Sequence, residues 1–145
     1  MKISIGCDHG GFALKEQVAE HLKQLGHEVV DCGTYSTDSC DYPEFGAKAA
    51  RMVADGQCQR GVVICTTGIG ISISANKVKG IRCALCMNTD MAMMTRKHND
   101  ANMIAMGAKY VTPQLAFEMV DIFLATDFEG GRHQIRVDKL MNIER

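Results

Sequence analysis

One segment constrains this chain more than any other: Val62-Val63-Ile64-Cys65-Thr66-Thr67-Gly68-Ile69-Gly70-Ile71-Ser72-Ile73-Ser74-Ala75-Asn76-Lys77. Apolar residues suited to a buried strand run into a cysteine. The cysteine opens a Thr/Gly turn, and the turn opens an apolar, helix-like stretch. Strand, turn and helix in that order aim several backbone N–H groups at one point. A thiol at the mouth of such a turn lies in a positive field, which favours a thiolate. One short segment can therefore offer both a base or nucleophile and donors for an oxyanion. Packing alone is the simpler explanation of a cysteine there, because a free cysteine behaves as a small hydrophobe.

The rest of the chain repeats the alternation. Lys2–Cys7 reads as a first strand. A helix over Phe12–Leu25 carries Phe12, Leu14, Val18, Leu22 and Leu25 near helical period, and Gly26 closes it. Glu28–Asp31 is a second strand, followed by a polar loop over Cys32–Tyr42. Pro43 begins a helix that runs to about Asp55 and ends at Gly56. Gly61–Ile64 is the third strand, and the helix after its turn reaches about Val78. Ile81–Cys86 is the fourth strand, Asp90–Lys97 a helix and Asn102–Met106 the fifth strand. Thr112 caps a helix over Pro113–Ala125, and Arg132–Ile143 forms a terminal helix. Strands alternating with helices, without repeat or linker, imply an α/β fold: one domain over 1–145, with a parallel sheet covered on both faces.

Ligands of such sheets bind at the carboxyl ends of the strands. Asp8 and His9 follow the first strand, Tyr42 ends the loop after the second, and Cys65-Thr66-Thr67 follows the third. Asn88-Thr89-Asp90 follows the fourth, and Lys109 lies just past the fifth. His98-Asn99-Asp100, read as a polar turn, precedes the fifth strand and needs another route to that site. Asp8 serves either as a helix cap or as an acid at a strand tip. Gly10-Gly11 is not a G-x-G-x-x-G, so no dinucleotide is expected. Arg132 and Arg136 share one helix face at i and i+4, either as a solvated face or as a two-arginine clamp on a phosphate.

The composition excludes several classes. A net charge of -1 gives no general attraction to nucleic acid or membrane surfaces, and no apolar run approaches a membrane span. Asp8 comes too early for a signal peptide, and seven scattered cysteines suit a reducing cytoplasm better than a disulfide framework. Cys83-Ala84-Leu85-Cys86 has C-x-x-C spacing but falls in the fourth strand. A redox pair would open a helix, and a zinc site would need a second ligand pair.

Several ordered motifs carry a resemblance that covers essentially the whole chain. They are Gly6-Cys7-Asp8-His9-Gly10-Gly11, Asp41-Tyr42-Pro43, Ile64 through Ser72, Ala75-Asn76-Lys77, Gly80-Ile81-Arg82, His98-Asn99-Asp100 and Gly130-Gly131-Arg132-His133-Gln134. With them the chain resembles the type B ribose-5-phosphate isomerases. That sugar-phosphate isomerase family also includes galactose-6-phosphate and allose-6-phosphate isomerases. The resemblance implies a three-layer α/β/α sandwich on a five-stranded, parallel, Rossmann-like sheet with a C-terminal helix. It also implies a cis-enediolate mechanism with no cofactor and no metal.

By that resemblance Cys65 is the base, Thr67 relays a proton between O1 and O2, His98 opens the furanose ring and Asp8 binds sugar hydroxyls. The N–H groups of Gly68, Ile69, Gly70, Ile71 and Ser72, with Asn99, hold the enediolate. Tyr42 packs on the sugar, and His9, Arg132 and Arg136 hold the phosphate with Lys109 as a further cation. The arginines of the last helix come from a second subunit in that family, which implies a homodimer with shared sites; tetramers also occur. Thr66 stands where many relatives have Gly, and Lys109 where relatives often have Arg. Lysine keeps the charge but loses the bidentate fork. A six-carbon sugar phosphate is the neighbouring expectation. A cysteine phosphatase fits less well, because the loop from Thr66 to Ser72 holds no arginine. A non-catalytic sugar-phosphate binder would have no use for the thiol.

Overall fold

The structure is a computed structural model and describes residues 1–144. Five strands form one parallel sheet: β1 (Lys2–Cys7), β2 (Glu28–Asp31), β3 (Arg60–Cys65), β4 (Cys83–Leu85) and β5 (Met103–Gly107). Their order across the sheet is β2-β1-β3-β5-β4. The helices are α1 (Phe12–Gln24), α2 (Tyr42–Ala54), α3 (Ile69–Asn76), α4 (Thr89–Asn99), α5 (Pro113–Ala125) and α6 (Arg132–Met141). The expected α/β/α arrangement is therefore present.

The three central strands are almost wholly buried, as a sheet covered on both faces requires. One core layer joins Ile3, Ile5, Val62, Ile64, Ile104 and Met106 to Leu14, Val18, Leu22, Met119 and Phe123 of α1 and α5. The other joins Val63, Cys65, Met103 and Ala105 to Ala49, Ala50 and Val53 of α2 and Ile71 and Ala75 of α3. Alternation along β3 thus points Val62 and Ile64 one way, and Val63 and Cys65 the other. β2 lies to one side of β1 and β3 to the other. The connections reverse there, and at such a switch point α/β sheets hold ligands in the crevice outside the carboxyl ends of the strands, here β1 and β3.

Some boundaries differ from expectation, each for a visible reason. β4 is shorter than Ile81–Cys86. Arg82 N–H donates to Asn102 Oδ1 instead of to a backbone carbonyl, while its guanidinium grips the Asn99 and Asp100 carbonyls. The side-chain amide of Asn76 bonds both the N–H and the C=O of Cys83, which covers backbone on the outer strand. α3 stops at Asn76 rather than Val78. α6 ends at Met141, and a single 3-10 turn follows over Asn142–Glu144. There the Glu144 carboxylate accepts from Gly80 N–H at 3.0 and 3.1 Å.

Lys15 breaks the usual reading of a charge between apolar helix positions. Its side chain is 0% exposed. The ammonium donates to both Asp31 carboxylate oxygens at 2.9 and 2.8 Å and to Thr34 O at 2.7 Å. Burial opposes the charge, but the hydrogen bonds and negative charge of Asp31 outweigh it and hold Lys15 above its ordinary range. The ion pair fixes the start of the β2–α2 loop against the tip of β1. There Thr34 N–H donates to Cys7 O and Cys7 N–H to Gly33 O. Lys15→Met is expected to destabilise the chain by about 2 kcal/mol, because it removes charged hydrogen bonds to Asp31 and Thr34 while the Asp31 carboxylate keeps solvent and Gly33 N–H. Urea unfolding of the two proteins measures that difference. A loss under about 1 kcal/mol would show that the pair contributes no more than an exposed one.

Candidate active site

The crevice is built from chain ends. β3 delivers Cys65, 5% exposed, into the layer beneath α3. Gly68 then turns the chain with φ +77°, a left-handed conformation that glycine adopts without strain. A Cβ at Gly68 would lie 2.6 Å from the Met106 carbonyl carbon and 2.8 Å from Gly107 N, so no side chain fits. This turn brings Gly68 N–H to Cys65 Sγ at 3.1 Å. Thr67 Oγ1 accepts from Ile69 N–H at 3.3 Å. Ser72 N–H makes the first helical bond, to Gly68 O. The expected donor run from Gly68 to Ser72 therefore divides. Gly70 and Ile71 alone in it keep N–H groups without a protein partner among the described residues.

Asp8 ends the extended chain after β1. One carboxylate oxygen accepts from Gly11 N–H at 3.1 Å, so Asp8 does cap the short turn over His9–Gly11. A Cβ at Gly11 would strike the Ile64 carbonyl, and one at Gly10 would strike Thr66 Oγ1. The two glycines let the β1 and β3 tips touch, and the Thr66 side chain fills the space beside Gly10. His9 is exposed, and its Nδ1 accepts from Cys40 N–H at 3.2 Å. Tyr42, the first residue of α2, lays its ring against Gly70. Lys109 lies past β5, where its N–H donates to Thr66 O, and its ammonium sits 5.9 Å from the Tyr110 ring centre. Asp8, His9, Tyr42, Cys65, Thr67, the Gly68–Ser72 segment and Lys109 thus gather at one edge of the sheet.

The remaining candidates gather at the opposite edge. His98 and Asn99 are not in a turn. They form the last turn of α4, and Asp100 follows in the left-handed conformation at φ +46°. Buried Arg96 fixes this end: it donates to Asp100 Oδ1 at 2.8 Å, Ala101 O at 2.7 Å and Thr126 O at 3.2 Å. Asn102 O accepts from Gly61 N–H, so this end of α4 lies where β3 begins. Cys65 closes the same strand four residues on, roughly 13 Å away along β3. α6 packs on α4, and His133, 8% exposed, stacks on His98 with ring centres 4.3 Å apart. Glu129 reaches both imidazoles, at 3.8 Å from His98 Nε2 and 3.5 Å from His133 Nε2. Burial, then His98 and Arg132, pull the His133 pKa below the ordinary imidazole range against the pull of Glu129. Arg132 and Arg136 ride on this helix. Sequence reading gave no role to Glu129 or His133; their i, i+4 spacing was the available signal.

Of the other thiols, Cys40 Sγ lies 3.9 Å from His9 Nδ1, and burial governs the remaining five. Burial pushes Cys7 and Cys86 up to about 12 and raises Cys32, Cys58 and Cys83 as well. These thiols stay protonated near neutral pH. Cys83 lies in β4 and Cys86 just beyond it, so the C-x-x-C spacing falls on an extended segment.

A thiol under a helix N-terminus, flanked by an acid, an imidazole and a phenol at a strand-order switch, defines an α/β enzyme of the small-molecule kind. A family model described as Ribose/Galactose Isomerase matches residues 3–140. The chain belongs to that family and is an isomerase. Ribose-5-phosphate isomerase B of Escherichia coli is 46% identical over 99% of this chain and 97% of its own. The solved ribose-5-phosphate isomerase B of Clostridium thermocellum superposes with a TM-score of 0.98 at 55% identity, covering 99% of this chain and 97% of that one. The Mycoplasma genitalium ribose-5-phosphate isomerase B, solved with bound ribulose-5-phosphate, superposes with a TM-score of 0.93 at 40% identity, covering 99% and 95%. Among the described residues no helix is long and apolar enough to cross a membrane.

Proposed function

We propose that this chain, acting as one domain, interconverts ribose 5-phosphate and ribulose 5-phosphate through a cis-enediolate without metal or cofactor. The observation that carries the reading is the 3.1 Å approach of Gly68 N–H to Cys65 Sγ at the start of α3. Base and oxyanion donors then share one turn of chain, as neighbouring carbons of one substrate require. Cys65 takes the C2 proton and returns it to C1. The N–H groups of Gly70 and Ile71, within the Gly68–Ser72 run, face the enediolate oxygens together with Asn99. Thr67 relays the proton between O1 and O2. His98 opens the furanose. Asp8 holds sugar hydroxyls, and Tyr42 packs on the sugar. His9, Lys109, Arg132 and Arg136 take the phosphate.

These roles need both edges of the sheet at one substrate, and one chain holds them a strand length apart. A two-fold homodimer resolves this: one protomer brings Cys65, and its partner brings the α4–α6 end. His98 and Asn99 travel with the arginines in that arrangement. Ile69 and Ile73, 50% and 55% exposed and one turn apart on α3, leave an apolar stripe beside the crevice that suits such a contact. The shared site serves a dimer, alone or paired into a tetramer, in the cytoplasm.

Substrate length distinguishes this reading from the six-carbon one. The ribose-5-phosphate isomerase B relatives support the five-carbon sugar. The purified chain in a chelating buffer is expected to turn over ribose 5-phosphate at least about tenfold faster, by kcat/KM, than allose or galactose 6-phosphate, the scale of one unaccommodated carbon. A preference for either hexose phosphate would move the assignment to that sugar.

A further inference from the structure

We propose that His98, Glu129 and His133 form a binding site for a zinc-class divalent cation, and that filling it switches the isomerase off. Three separate elements bring the donors together: the last turn of α4, the loop before α6, and the first turn of α6. Glu129 Oε1 stands 3.5 Å from His133 Nε2 and 3.8 Å from His98 Nε2. All three donor atoms lie within 4.8 Å of one another. Tetrahedral zinc at about 2.0–2.2 Å from nitrogen and oxygen donors sets its ligands roughly 3.3 Å apart. The His98 and His133 rings stack with 14° between their planes, so their Nε2 lone pairs run nearly parallel, and closing the set turns one imidazole out of the stack besides drawing the donors together by about 1 Å. Two imidazoles and one carboxylate are a donor set that zinc favours, with a fourth position left for water or an anion.

The backbone holds the set in place. Glu129 N–H donates to Lys97 O, beside His98, and His133 N–H donates to Gly130 O. Glu129 is exposed and His98 half-buried, so an ion has a path in. Arg132 and Arg136 oppose a cation nearby, so the site is weaker than a dedicated structural zinc centre. This site is no resident cofactor site. Under the proposed function His98 must be free to open the sugar ring, and a metal on its Nε2 removes that nitrogen from use. The inhibitory consequence rests on that reading; the metal site does not.

Cobalt(II) reports the site without any turnover. The whole protein, titrated with Co²⁺ alone, is expected to show the visible bands of tetrahedral cobalt. Glu129→Gln and His133→Gln are each expected to weaken binding at least about tenfold. Glu129 is exposed, so its variant keeps the test open if His133→Gln fails to fold. Zn²⁺ should inhibit ribose 5-phosphate turnover, with the half-inhibiting concentration raised by a similar factor in Glu129→Gln, each protein judged against its own metal-free rate. Equal cobalt binding in both variants, or zinc inhibition unchanged by Glu129→Gln, would overturn the proposal, and a thiolate band beside either result would place the metal on a cysteine such as Cys65. If the metal-free protein shows no turnover, the functional reading fails, while the cobalt spectrum still decides the site.

Discussion

Cys65→Ala is expected to lower kcat for ribose 5-phosphate by about 10³-fold while leaving KM within about threefold, the middle of the range that a positioned acid–base group contributes. Cys65 touches the reacting carbons only in the proposed chemistry, and the phosphate and sugar contacts lie elsewhere. Binding therefore survives when the proton transfer is lost. The fold survives as well. The substitution removes one nearly buried sulfur and an acceptor for Gly68 N–H, costing about 1–2 kcal/mol. Steady-state kinetics with thermal unfolding as a control measure both quantities. A variant within about tenfold of wild type would remove Cys65 as the base and leave it as packing beneath α3. Cys7 and Cys86 cannot replace it, because burial holds both protonated up to about 12.

The layered fold was readable from residue pattern because β1, β3 and β5 are buried on both faces and read as continuous apolar runs. The crevice followed from the same pattern, since Asp8, Tyr42 and Cys65 stand where strand tips give way to turns. Tertiary partners decided what the pattern missed. Lys15 sits between apolar helix positions, where a solvated face is the usual outcome. Only the approach of Asp31 and Thr34 from across the fold buries it. His98 and Asn99 looked like loop residues because His98-Asn99-Asp100 is polar. Arg96 extends the helix over both by tying Asp100 and Ala101 to the end of α5. The fourth strand came out short because the side chain of Asn102 takes the Arg82 N–H. The stacking of His98 on His133 depends on α6 folding back onto α4, which no local signal encodes.

The shared site makes the most demanding expectation, because it joins residues from opposite ends of the sheet. Consider two variants, each inactive alone: Cys65→Ala, and the double variant Arg132→Ala with Arg136→Ala. In a heterodimer with shared sites, one site collects both lesions and the other collects none. Co-expression with two different tags, and purification through both, isolates the mixed dimer. If each site joins Cys65 of one chain to the arginines of the other, the mixed dimer is expected to recover about half the wild-type kcat per dimer, with wild-type KM. Failure to recover any dual-tagged species, or a mixed dimer no more active than its two inactive parents, would contradict a site built from two chains.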